Sequence, residues 1–310
     1  MEAKMEIIAE INRLRKEKDA LILAHYYQTA DIQDIADCVG DSLALAQYAA
    51  KTTADIIVVC GVYFMGETAK LLSPYKKVIV PDKEAGCSLA DSCPADAFEK
   101  FIRAHPGYQV ISYVNTTAAV KALTDIVVTS TNAQKIVESF PADAKLIFGP
   151  DRNLGNYLNS ITGRQMTLWD GACHVHEQFS LEKILEQKKL YPDAEVIAHP
   201  ECKQPVLTIA DFIGSTSALI TYTIQSPQSV FIVATESGVI HEMRKRSPEK
   251  VFIPAPPNDS TCACNECSFM RLNTMEKLFL CLRDETPEIL IDQAIREKAV
   301  QPIHRMLEIS

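Results

Sequence analysis

Three groups of short, Ile- and Val-rich runs recur in the same order along this chain, and that recurrence limits its possible folds more than any other feature. The run LILAHYYQ (21–28) is echoed by VISYVNTT (110–117) and EVIAHPEC (195–202). DIIVVCG (55–61) is echoed by DIVVTST (125–131) and SVFIVATE (229–236), and KVIVPDKEAG (77–86) by KLIFGPDRNLG (145–155) and KVFIPAPPND (250–259). Helical stretches separate the runs. Short apolar strands alternating with helices predict parallel α/β layers in which the strands are buried on both faces. Three triplets in one order predict a triplicated α/β unit. The first and third copies share an extra short element, CVGDS (38–42) and FIGST (212–216). The middle copy has only AAVKAL between its first two runs and is expected to lack that element.

In a parallel sheet the residues that end each apolar run lie at the carboxyl edge, where open α/β sheets bind ligands. Those ends supply His25, Tyr26, Tyr27, Asp41, Ser42, Tyr113, Asn115, Ser130, His199, Glu201 and Thr216. Three small sheets around a pseudo-threefold axis would bring these edges to one central pocket. Taken singly, a Ser or Thr at a strand end is more often a helix cap than a ligand. Tyr26 and Tyr27 point to opposite faces of one strand, so only one of them is expected in the pocket. Tyr27 shares parity with His25 and is the one chosen.

Ten cysteines add a second constraint. The opening stretch, MEAKMEIIAEINRLRKEKDA, has the period of an amphipathic helix rather than of a signal peptide. No segment approaches the length of a membrane span. With 31 basic against 40 acidic side chains and no basic run, a nucleic-acid partner is not expected. The expected location is the cytoplasm, where thiols stay reduced and a disulfide framework is not the natural reading. Cys60 and Cys281 sit within apolar runs as small core residues, and Cys38, Cys93 and Cys202 are read the same way.

The remaining cysteines follow the repeats. Cys87 comes after the last strand of copy one, Cys173 after that of copy two, and Cys262, Cys264 and Cys267 after that of copy three. One thiolate per repeat, each in a loop beyond a sheet edge, suits a four-iron, four-sulfur (4Fe-4S) cube that keeps one iron free of protein. The spacings match no local ferredoxin motif. TCACNEC (261–267) offers a zinc alternative but has no histidine at the usual short spacing. On the residues alone a scattered-cysteine cluster, a local zinc site and the absence of any metal all stay open.

The blocks AHYYQ, GDSLALAQYA, VCGVYFMGETAKLL, PDKEAGCSLADSCP, SYVNTTAAVKALTDIVVTSTNA, FGPDRNLG, WDGACHVHEQF, HPEC, GSTSALI and CSFMRLNT together resemble the quinolinate synthase family of NAD biosynthesis. The resemblance runs from about residue 20 to beyond 280. It implies three similar α/β/α domains around a pseudo-threefold axis, with the active site at the centre. The units expected here are 1–86, 87–172 and 173–267, with 268–310 returning to the first. It implies an enzyme that condenses iminosuccinate with dihydroxyacetone phosphate to quinolinate, phosphate and water. An upstream aspartate oxidase or dehydrogenase could hand over the unstable imine.

The resemblance also assigns residues. Cys87, Cys173 and Cys267 are the implied ligands of the 4Fe-4S cluster. Many relatives carry C-x2-C-x2-C before the methionine, whereas this chain has Thr261 at the first position and Cys262 beside it. That change removes one outer cysteine of a disulfide proposed for some relatives, and Cys262 and Cys264 are read as loop residues without a catalytic task. Ser42, Ser130 and Thr216, each just before a predicted helix, are implied contacts of iminosuccinate, where helix N-termini favour anions. His25, Tyr113, Asn115 and His199 are further contacts. Glu201 is the candidate general base, with Tyr27 and His199 moving protons beside it. His176 is read as assisting substrate and His174 as structural. Two other classes remain beside this one: a zinc-dependent lyase or hydrolase, and a non-catalytic iron–sulfur sensor. The last segment, TPEILIDQAIREKAV, predicts a helix capped by Thr286 with Pro287 in its first turn.

Overall fold

The computed structural model describes residues 2–259 and 265–310. Its strands form three four-stranded sheets, and every pairing within them is parallel. The first sheet holds β1 (Ala20–His25), β2 (Cys38–Gly40), β3 (Ile56–Cys60) and β4 (Lys77–Ile79). The second holds β5 (Gln109–Tyr113), β6 (Ile126–Val128), β7 (Leu146–Gly149) and β8 (Thr167–Leu168). The third holds β9 (Glu195–Ala198), β10 (Phe212–Ile213), β11 (Val230–Ala234) and β12 (Val251–Pro254). In each sheet the spatial order is second, first, third, fourth. Helices cover the faces, so the first and third strands of each sheet are buried over most of their length, as their unbroken Ile and Val runs require. The direction of winding reverses between the first and third strand of each sheet, which opens a crevice at the carboxyl ends.

This order corrects the alignment of the middle repeat. The run IVV at 126–128 resembles a central strand in composition, yet β6 pairs with the outer side of β5, Ile111 opposite Ile126. It therefore occupies the edge place that β2 and β10 take in their sheets. A recurrent aspartate fixes the equivalence. The carboxylates of Asp37, Asp125 and Asp211 accept the N–H groups of Ile22, Val110 and Val196 at 2.8, 2.7 and 2.7 Å. Their own N–H groups return to the carbonyls of the same residues. The middle repeat does contain the short element. Its third strand is β7 and its fourth is β8, a run too short to stand out by composition.

The C-terminal segment touches two units. The helix Met275–Asp284 buries Met275, Leu278, Cys281 and Leu282 with Ile11 and Leu14 of the first helix, Glu2–Glu17, and with Ile22 and Val58. The chain then lies antiparallel beside β4, where Ile289 N–H donates to Val78 C=O at 2.8 Å and Val80 N–H to Pro287 C=O at 3.2 Å. That pairing corrects the predicted helix start at Thr286: the backbone groups of 287–289 serve the sheet edge, and Ile289 is core. The helix runs over Gln293–Ile309, with the Asp292 carboxylate accepting the N–H groups of Ala294 and Ile295. Its Ala299, Ile303 and Met306 pack against Ile126 and Val127 of the second sheet. No described helix is long and apolar enough to cross a membrane.

Candidate active site

The recurrent aspartate also aligns the strand ends. Counted from Ile22, Val110 and Val196, the third residue onward is His25, Tyr113 and His199, and the fifth is Tyr27, Asn115 and Glu201. Counted from Asp37, Asp125 and Asp211, the fifth residue is Ser42, Ser130 and Thr216. All nine side chains line one cavity, three from each sheet, together with His176, Cys87, Cys173 and Cys267. The structure thus brings together every site residue named from sequence. Tyr26 turns away and packs with Leu219, Ile220 and Phe231. Asp41, Thr129 and Glu236 also line the cavity, and Val62, Met65, Val175 and Met270 make its apolar wall.

The ring nitrogens are oriented by local backbone. His25 Nδ1 accepts the Tyr27 N–H at 3.2 Å, and His199 Nδ1 accepts the Glu201 N–H at 3.3 Å. Each imidazole therefore carries its proton on Nε2, and His199 Nε2 reaches Ser130 Oγ at 3.2 Å. Burial disfavours their cations and lowers His25 to about 4 and His199 to about 3, against the pull of Asp41 and Glu201. Both are neutral donors at physiological pH.

Glu201 is the hub. The Tyr113 hydroxyl donates to its Oε1 at 2.6 Å, and His176 Nδ1 lies 3.2 Å from its Oε2 without a well-aligned hydrogen bond. Burial works against ionising this carboxyl, but His176 and the Tyr113 hydroxyl outweigh it and place it below the ordinary range. His176 Nε2 and Tyr27 Oη meet at Thr235 Oγ1, at 3.0 and 2.8 Å, and Tyr27 Oη also bonds Thr216 Oγ1 at 2.9 Å. Polar groups therefore line up from Tyr113 through Glu201, His176 and Thr235 to Tyr27, hydrogen-bonded at every step but that between Glu201 and His176.

The anion cradle expected at helix starts is only partly present. Ser42 and Thr216 are the first residues of the helices Ser42–Lys51 and Thr216–Gln225. Ser130 stands off from its helix, which begins at Ala133; the Asn132 side chain turns back, its Oδ1 accepting the Thr129 N–H at 2.7 Å. The Asp41 carboxylate already occupies the N-terminus of Ser42–Lys51, accepting the Ala44 N–H.

The three cysteines stand at matching turns. The N–H groups three residues on, Ala90, His176 and Met270, face the sulfurs of Cys87, Cys173 and Cys267 and favour thiolate. Burial opposes them more strongly, raising Cys87 to about 12, Cys267 to about 11, and Cys173 well above the ordinary value. Cys267 raises Cys87 further and Cys87 raises Cys173, and all three thiols line the one cavity. No described cysteine is in a disulfide. Such a trio becomes thiolate when a metal centre supplies positive charge, and its donor set fits a cluster with three protein ligands. Cys173, His176 and Glu201 also place ligand atoms within 4.8 Å of one another, close enough for a single metal ion. Cys262 and Cys264, and with them most of the zinc alternative TCACNEC, lie outside the described residues.

Two acids that sequence reasoning did not name grip the cysteine loops. The strand registers make Val62, Asp151 and Glu236 equivalent, two residues beyond Cys60, Gly149 and Ala234. Asp151 accepts the N–H of Cys173 at 3.3 Å and that of Leu154 at 2.8 Å. Glu236 accepts the N–H of Cys267 at 3.1 Å and pairs with Arg271 Nη2 at 2.8 Å. Burial raises both carboxyls, Glu236 to about 7 against the pull of Arg271. His174 Nδ1 bonds Ser88 Oγ at 2.7 Å, joining the loops of Cys173 and Cys87. What relates these two acids is the pairing of the first and third strands in each sheet, which the apolar pattern does not record.

Fold and site together define an α/β enzyme in which three like sheets pool their carboxyl edges around a buried, thiol-edged polar cavity. The family model described as Quinolinate synthetase A protein matches residues 9–308. The chain is 58% identical over 305 residues to the quinolinate synthase of a Synechococcus species, covering 98% of this chain and 95% of that one. It is 56% identical over 308 residues to the quinolinate synthase of Chloroherpeton thalassium, with coverage of 99% and 96%. The corresponding enzyme of Thermosynechococcus vestitus is 58% identical over 306 residues, again covering 99% and 96%. This chain belongs to the quinolinate synthase family and is an enzyme of NAD biosynthesis.

Proposed function

We propose that this enzyme condenses iminosuccinate with dihydroxyacetone phosphate to form quinolinate, phosphate and water. The observation that carries this reading is the convergence of nine equivalent polar strand-end residues and three thiols on one cavity. A dicarboxylate imine offers acceptors at both ends, and the cavity presents hydroxyl, amide and imidazole N–H donors to meet them. Ser42, Ser130 and Thr216 form a cradle for one substrate carboxylate, with Asn115 and the Nε2–H groups of His25 and His199 as further donors.

Closing a pyridine ring requires protons to leave carbon and nitrogen and to reach departing oxygen. Glu201 accepts the first of these protons, because it is held as a carboxylate with Tyr113 and His176 in place to stabilise it. The Tyr27 hydroxyl, already bonded to Thr216 and Thr235, passes protons to oxygen at the cradle end of the cavity. His176 sits between Glu201 and Thr235, its Nε2 bonded to Thr235 and its Nδ1 3.2 Å from Glu201, so a small turn of its ring would close a proton path between the two ends. Cys87, Cys173 and Cys267 would hold a 4Fe-4S cluster, whose protein-free iron would supply a Lewis acid for loss of hydroxide. The reduced thiols suit the cytoplasm, and iminosuccinate would come from an aspartate oxidase or dehydrogenase.

The test is quinolinate formation by anaerobically purified protein from dihydroxyacetone phosphate and iminosuccinate generated in situ. Formation that disappears on exposure to oxygen supports the reading; no quinolinate from fully loaded protein sinks it. Metal analysis separates the single-ion alternative at Cys173, His176 and Glu201, since it predicts one metal and no acid-labile sulfide.

A further inference from the structure

The proton chain and the cradle leave one buried carboxylate without a task. Asp41 is 7% exposed and faces the cavity, although an acid has the wrong charge for a pocket that takes a dicarboxylate and a phosphate ester. Its bonds turn that charge toward the protein. Oδ1 accepts the Ala44 N–H at 3.0 Å and caps the helix Ser42–Lys51. Oδ2 accepts two hydroxyl protons from the other units, Thr131 Oγ1 at 2.9 Å and Ser217 Oγ at 2.7 Å. Each partner is the chain neighbour of a cradle residue: Asp41 precedes Ser42, Thr131 follows Ser130, and Ser217 follows Thr216. One oxygen thus ties together the three segments that carry the cradle. Thr131 and Ser217 also line a separate cleft of about 490 Å³ outside the cavity, so the same bonds form the wall between the two spaces.

We propose that Asp41 is a positioning residue whose Oδ2 clasp sets the spacing of Ser42, Ser130 and Thr216 for a substrate carboxylate, while Oδ1 separately caps a helix. This rests on the assignment of the cradle to the dicarboxylate substrate. A charged acceptor shared by two hydroxyls is among the stronger hydrogen-bond arrangements in a buried site, and losing it frees three loops at once.

The decisive variant is Thr131→Val with Ser217→Ala, which removes both donors to Oδ2 but keeps Asp41, its cap and the cradle side chains. KM for iminosuccinate should rise about tenfold, with kcat within about twofold of the parent. The dissociation constant of oxaloacetate, the oxygen analogue of the imine, should rise in parallel in calorimetry. Asp41→Ala should show the same KM and a lower melting temperature, and adding the double substitution to it should change KM no further. Asp41→Asn should recover KM, because its amide can donate to both hydroxyls while Oδ1 keeps the cap. Should the double variant not fold, each single substitution must still raise KM by about threefold. KM and oxaloacetate affinity unchanged in these variants, while the parent binds normally, overturn the clasp alone. A parent that does not bind oxaloacetate at all overturns the cradle assignment, and the clasp with it.

Discussion

Lys121 is buried completely, an unusual place for an ammonium. Its Nζ donates to the carbonyls of Val114, at 2.9 Å, and Thr116, the two residues on either side of Asn115. Burial lowers its pKa from 10.5 to about 8, with Glu67 pulling the other way. Lys121→Met keeps the length and removes the charge. Two charge-assisted hydrogen bonds are worth about 3–6 kcal/mol together. The relieved desolvation, from the fall in pKa, is worth about 3 kcal/mol. The bonds win by a small margin, so at pH 7 the variant should be roughly 0–3 kcal/mol less stable.

The pH dependence of Lys121→Met is sharper than its size. Below pH 8 folded and unfolded parent both carry the proton, and nothing changes with pH. Between about 8 and 10.5 the unfolded chain still binds a proton that the folded protein has released, so the parent gains stability as pH rises. The variant cannot gain it. The stability gap should therefore widen by up to about 3 kcal/mol across that window. Anaerobic urea unfolding at pH 7 and pH 10, followed by far-ultraviolet circular dichroism, reads it directly. A gap of equal size at both pH values would mean instead that Lys121 is not desolvated in the folded protein.

Three further outcomes are expected. On the proposed cluster assignment, alanine at Cys87, Cys173 or Cys267 should abolish iron–sulfur absorption and lower iron content, whereas Cys281→Ala should keep both and cost about 1–2 kcal/mol of stability through the lost core sulfur. Tyr113→Phe removes the 2.6 Å bond to Glu201 and should lower kcat/KM by about 10- to 100-fold with the cluster spectrum unchanged; an unaltered pH–rate profile would argue against Glu201 as the base. Glu285, lowered to about 2 by Lys18 and Lys77, stabilises the fold above about pH 4.5 and loses that contribution as pH falls toward 2. Because the pair is partly solvated, Glu285→Gln should cost under about 1 kcal/mol at pH 7 and nothing at pH 2, as read by acid titration of the fold.

Much of the site is visible in the chain because strand parity and run ends are local. Tyr27 rather than Tyr26 faces the cavity for the reason parity gives, and Ser42 and Thr216 begin helices where the hydroxyl residues precede apolar periodicity. The misalignment of the middle repeat has an equally plain cause. IVV at 126–128 carries the composition of an interior strand, but its place is set by hydrogen bonds to β5 and by the Asp125 carboxylate on Val110. Residues 287–289 look like the start of a helix, yet they spend their backbone groups on β4. Asp41, Asp151 and Glu236 carry no periodicity at all; each acts on atoms far away in sequence or on the N–H of a loop that only the fold brings near.

By itself the chain determined three strand–helix units, the polar residues that end their strands, and one thiol-bearing loop for each unit. These follow from burial period and turn chemistry, which act over a few neighbouring residues. Tertiary structure alone decided which strands are true equivalents, that the three edges share one cavity, and which buried acids hold its loops. Those outcomes depend on hydrogen bonds between segments dozens of residues apart, and no local pattern records them.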